Sequence, residues 1–143
     1  MEYPEGFYSS YHSQKPICGV LATAMAAGVS YDVAHAACKD AMHIVFPKRQ
    51  RFGGVTYEPQ LDLALTRLGV KFEKTVYASQ APRLIDLVAT LESGVMYHVI
   101  TPKHIQTIRD GMLIDQGRLQ PVADCIQAKK RVRYIRKIIG KGW

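Results

Sequence analysis

Three side chains in this sequence have types and positions that suit the cleavage of an acyl bond. Cys18 follows Pro16, and Pro16 fits the first turn of a helix, where its missing N–H would be unpaired in any case. A thiol in a first turn is drawn towards its thiolate by free backbone N–H groups and the helix dipole, and the same groups can donate to a developing oxyanion. A thiolate nucleophile needs a base, and the base needs an orienting partner on its other ring nitrogen. His104 begins one stretch of β-formers and Asp115 ends the next, with the hairpin signal Asp110-Gly111 between them, so the turn is expected to return Asp115 towards His104.

Each residue also has a plainer use. Free cysteine is among the most buried residue types, so Cys18 also fits a packing role. Asp115 precedes Gln116-Gly117 and fits a turn residue. His98 is a rival base, although its neighbours Tyr97, Val99 and Ile100 describe a core strand, where a histidine is more often packed than reactive. His12, His35 and His43 carry no such context. Cys18, Cys38 and Cys125 have no metal-ligand spacing, no two histidines have metallopeptidase spacing, and no glycine-rich phosphate loop occurs. Neither a metal nor a cofactor is expected.

The elements that must hold these residues follow from pattern. Ile17 to Ala27 is a small, apolar run closed by Gly28, which predicts a helix buried on all sides. Ser30 and Asp32 open a second helix to about Met42, and Glu58 to Leu68 has helical spacing closed by Gly69. A short strand is expected over Val70 to Thr75, and a helix from Ser79 and Pro82 through Glu92. Beyond Ser93-Gly94 the chain is rich in β-formers: Val95 to Thr101, His104 to Arg109, Met112 to Asp115, and Arg131 to Ile139, the last alternating like an edge or half-exposed strand. Helices followed by antiparallel strands make an α+β fold, with N-terminal helices packed on a C-terminal sheet.

At 143 residues, with 48% hydrophobic residues, the chain fits one domain spanning 1–143. Its apolar runs are too short or too interrupted to span a bilayer, and residues 1–14 have no signal pattern, so membrane insertion is not expected. An odd number of cysteines without a framework fits a reduced, cytoplasmic setting. The net charge of +7 is concentrated where Lys129, Lys130, Arg131, Arg133, Arg136, Lys137 and Lys141 crowd the end of the chain. That segment fits a solvated strand, or a contact for an acidic protein or nucleic acid.

The block Cys18-Gly-Val-Leu-Ala-Thr-Ala, followed by Gly28-Val-Ser-Tyr-Asp-Val-Ala, resembles the nucleophile helix of papain-like cysteine peptidases, most closely the small bacteriocin-leader-peptidase type and related phage-encoded proteins. The block from Gly94 through His104 to Asp115 is similar to the histidine hairpin of the same group. The resemblance implies a papain-like cysteine protease fold, with Cys18 as nucleophile, His104 as general base and Asp115 as the orienting acid. In that family a glutamine some six residues before the nucleophile helps form the oxyanion hole; here Gln14 stands four residues before Cys18, and Ile17 replaces a common acidic residue. It further implies a peptide or protein substrate, and, for a phage-encoded member, residence in the host cytoplasm or the virion. The expectation is a thiol hydrolase of the peptidase or amidase type, working through a thioester. The competing expectation is a papain-fold binding protein, weak or inactive in catalysis, that meets a host protein or nucleic acid through its basic surface.

Overall fold

The structure is a computed structural model that describes residues 18–52, 56–115 and 118–140, the side chains of 115 and 118 excepted. Its first helix, α1 (Cys18–Ala27), is buried from Gly19 to Ala27, which its small, apolar composition permits on every side. Gly28 ends it with φ +66°, and the Val29 N–H turns back to the Ala24 carbonyl at 3.1 Å, a close that needs the left-handed conformation glycine adopts freely. Helix α2 (Tyr31–Val45) starts on Ser30, whose hydroxyl accepts from the Val33 N–H at 3.3 Å, and buries Ala34, Cys38, Ala41 and Met42 along one stripe. Helix α3 (Glu58–Arg67) is fixed at its start by Gln60, which accepts from the Tyr57 N–H at 3.3 Å and donates to the Cys38 carbonyl at 2.8 Å. The entry to α3 is thereby tied to the middle of α2.

The remaining chain builds one six-stranded antiparallel sheet from β1 (Lys71–Val76), β2 (Tyr97–Thr101), β3 (His104–Arg109), β4 (Met112–Asp115), β5 (Arg118–Pro121) and β6 (Tyr134–Gly140). Its order is β1-β6-β2-β3-β4-β5. Strands β2 to β5 form a meander, while β6 returns to pair with β1 on one side and β2 on the other. The pleat divides the sheet residues between two cores. Met96, Ile100, Ile105, Ile114 and Ile138 pack with α1 to α3 on one face; Tyr97, Val99, Ile108, Leu113 and Ile135 pack on the other with Leu84 and Leu87 of the short helix α4 (Leu84–Val88) and with Val122 and Val132.

This is the α+β order of helices followed by an antiparallel sheet. Two expectations differ in detail. The helix predicted through Glu92 is only Leu84–Val88, after which Thr90 and Leu91 bond three residues back, a tighter coil than the α-helix. The basic last strand is internal rather than an edge, and Arg136 on it is fully buried, its Nε donating to Asp62 Oδ1 at 2.7 Å. No helix among the described residues is long and apolar enough to cross a membrane.

Candidate active site

Cys18 is the first residue of α1 and His104 the first of β3, and the two line one cavity of about 580 Å³. The cavity wraps around the β2–β3 turn. It touches Ile100 and Ile105 on the face that carries α1, and Thr101 and His104, which pair across the turn. Between that pair stand Pro102 and Lys103, and Lys103 has φ +61°, the sign a type II turn demands at a position usually given to glycine. A strained residue thus holds His104 at the mouth of the cavity. Cys18 and His104 are both half-buried, so each is supported by protein and open to a ligand.

The opposite wall comes from Thr56, Tyr57, Glu58 and Leu61, at and just before the start of α3. The contact of this wall with α1 is close. A methyl group on Gly19 would lie 2.0 Å from the Thr56 hydroxyl oxygen, so only glycine lets the α3 entry pass so near the residue after Cys18. Arg133 and Tyr134 complete the lining. The Arg133 N–H donates to the Ile100 carbonyl at 2.7 Å, which fixes this wall to the end of β2.

None of the three cysteines is in a disulfide, and their surroundings differ. Cys38 is buried, and burial pushes its thiol up to about 11 despite its hydrogen bond to the Thr23 hydroxyl at 3.7 Å. Cys125 is buried in the second core. Cys18 lines the cavity, and as the first residue of α1 it lies among backbone N–H groups without intrahelical acceptors.

The two candidate bases are placed very differently. His98 is fully buried under α1, and its Nε2–H donates to the Ala22 carbonyl at 2.8 Å, which leaves Nδ1 as the unprotonated nitrogen without a hydrogen-bond partner among the described residues. Burial, with help from the Arg136 guanidinium across the strand pair, lowers its pKa to about 3. A ring so weakly basic is neutral at physiological pH and accepts protons poorly there. His104 instead faces the cavity that Cys18 lines.

Gln14 lies outside the described residues, as does the side chain of Asp115. The backbone places Asp115 at the end of β4, one step beyond the pair Thr107 and Ile114. Continuing that register sets Asp115 opposite Gln106, two residues along β3 from His104. Gln106 is buried, with its Nε2 donating to the Thr101 hydroxyl at 3.0 Å.

Sequence reasoning did not find Thr56, Tyr57, Glu58, Lys103, Arg133 or Tyr134, which come to the cavity from separate elements and carry no local motif. The one signal was Gly19, whose missing side chain marks a close approach. No group of three or more His, Cys, Asp or Glu among the described residues is disposed to hold a metal ion.

No family model, curated protein or solved structure matches this chain.

Proposed function

We propose that this protein is a thiol hydrolase that cleaves a peptide or other amide bond, with Cys18 as nucleophile and His104 as general base on a papain-like scaffold. The single observation that carries the reading is that Cys18, at a helix start, and His104, at a strand start, line one cavity with room for a substrate. Pockets of roughly 300–1,000 Å³ are of ligand-binding size, and this one is within that range.

In the reaction, His104 takes the Cys18 proton and the thiolate adds to the carbonyl carbon. The oxyanion accepts from the first N–H groups of α1. As the C–N bond breaks, the imidazolium returns its proton to the leaving amine, and a thioester joins the acyl group to Sγ. Water, deprotonated by His104, adds to the thioester; the C–S bond breaks, and the products are a carboxylic acid and the regenerated thiol. Asp115 would orient the imidazole through its second nitrogen, and Gln14 would add a donor to the oxyanion.

The competing reading, a binding protein on the same scaffold, draws on the basic last segment. Much of that charge has internal work: Arg136 binds Asp62, Lys137 binds Glu92 at 2.8 Å, and Arg131 donates to the Ala81 carbonyl at 3.0 Å. No specific observation favours that reading over hydrolysis.

The test is alkylation of the native protein by a small thiol reagent across pH, with the modified cysteine identified by mass. Cys18 should react faster than the thiols of the unfolded chain, and His104→Ala should slow it, while Cys38 and Cys125 stay unmodified in the folded protein. A Cys18 no more reactive than in the unfolded chain, or indifferent to His104→Ala, would remove the pair from the mechanism.

A further inference from the structure

We infer that the substrate is an extended peptide with acidic residues two positions apart, held by Arg131 and Arg133 in a groove that continues the Cys18–His104 cavity. This deepens the hydrolase reading and rests on it for the identity of the bound chain as substrate.

The groove, about 830 Å³, has the segment Tyr77 to Ala81 on one side and Arg131 to Tyr134 on the other. Its origin is a gap between two paired stretches. The Tyr77 N–H donates to the Arg133 carbonyl at 2.9 Å, and the Val132 N–H donates to the Pro82 carbonyl at 2.9 Å. Between these bonds the chain at 78–81 bows away, and the Arg131 guanidinium reaches across to the Ala81 carbonyl at one end. Glu58, Arg133 and Tyr134 line both the groove and the Cys18–His104 cavity, so the two spaces share a wall. Arg133 is the joint: its N–H bonds to Ile100 at the cavity and its carbonyl to Tyr77 at the groove. A chain with its scissile bond at Cys18 would enter this space past Glu58, Arg133 and Tyr134.

Charge selects the chain. Among the described residues lining the two spaces, Lys103, Arg131 and Arg133 are cationic and exposed and Glu58 is the one carboxylate, with Asp86 beside Arg131 outside the lining. Glu58 is already paired with Lys74 at 3.3 Å. Arg131 and Arg133 flank buried Val132, and both are exposed where they line the groove. Two carboxylates close together in an extended peptide, as in Glu-x-Glu or Asp-x-Glu, give each guanidinium group a bidentate partner.

The experiment measures binding rather than turnover. Cys18→Ala protein is titrated into fluorescein-labelled 12-residue peptide pools that carry Glu-x-Glu, Gln-x-Gln or Lys-x-Lys at a fixed central position, read by anisotropy at low salt. The acidic pool should bind roughly ten-fold tighter than the neutral one. Arg131→Glu with Arg133→Glu should abolish that preference, and Arg133→Gln alone, a milder change, should reduce it. Lys39→Glu with Lys48→Glu alters net charge equally at exposed sites outside the groove and should keep it. Equal binding of acidic and neutral pools, binding of none, or equal loss of preference in the control pair would overturn the inference. Alkylation of Cys18 reports on the hydrolase separately: an inert Cys18 with an Arg131/Arg133-dependent preference removes the hydrolase and leaves the groove, and a reactive Cys18 without the preference does the reverse.

Discussion

Acidification should weaken this fold through His98 before its carboxylates titrate. The pKa of His98 is lowered from 6.5 to about 3 in the folded protein, first by burial and then by Arg136. The unfolded chain therefore binds a proton at this site that the folded protein refuses. Stability from this group is complete above 6.5 and falls as pH drops towards 3. One proton of difference corresponds to a slope of about 1.4 kcal/mol per pH unit, which integrates to about 2 kcal/mol between about pH 7.5 and about pH 5. Carried through the whole shift the loss is on the order of 5 kcal/mol, comparable with the entire stability of a small domain. Urea unfolding followed by far-ultraviolet circular dichroism at a series of pH values gives the slope, and His98→Gln, whose amide can still donate to the Ala22 carbonyl, should flatten it. NMR of the ring in the wild-type protein checks the same point without any variant. A stability that does not change over this interval, or a folded-state His98 that titrates near neutrality, would refute the reasoning and return His98 to contention as the base.

Two further substitutions probe the packing that shapes the site. Gly19→Ala places a methyl group against three side-chain atoms of Thr56 and should cost about 1–3 kcal/mol in urea unfolding, most of it recovered in a Thr56→Gly background; equal costs in the two backgrounds would mean that the contact is not what excludes a side chain. Asp62→Ala leaves the fully buried Arg136 hydrogen-bonded, among the described residues, to the Glu58 carbonyl and the Tyr134 hydroxyl alone, each at 3.5 Å, and should cost about 3 kcal/mol by denaturant unfolding. A loss below about 1 kcal/mol would show that Lys74 and solvent already satisfy that carboxylate.

Local signals carried much of the fold. Ser30 as a cap, Gly28 and Gly69 as helix ends, and the Asp110-Gly111 turn, with φ +53° and +75°, each act within a few residues and were legible as such. The strand β5 escaped notice because Arg118 to Pro121 is short and carries a proline, which an edge strand tolerates and a pattern search discounts. The position of β6 could not be read from its alternation, since the pleat tells which residues share a face but not which strands lie beside them. Nor could the burial of Arg136, which depends on Asp62 in α3, far away in sequence. At the candidate site, Cys18 and His104 stood out by residue type and by their places at element starts. The residues around them did not, because β6, the α3 entry and the Lys103 turn meet there only through the tertiary fold.

The insertion of β6 between β1 and β2 has a consequence for the order in which the molecule can be made. Until β6 emerges during synthesis, β1 has no partner in the sheet, and the β2–β5 meander exposes the edge of β2. The cavity then lacks Arg133 and Tyr134, and the groove lacks one whole side. A nascent chain that already holds Cys18 but not β6 therefore carries the thiol without the cleft, and the cavity and the groove close in the same late event that seals the sheet. Pairing so distant in sequence is slow by its topology, so a refolding chain should gain helix well before it gains a protected Cys38 or a structured groove.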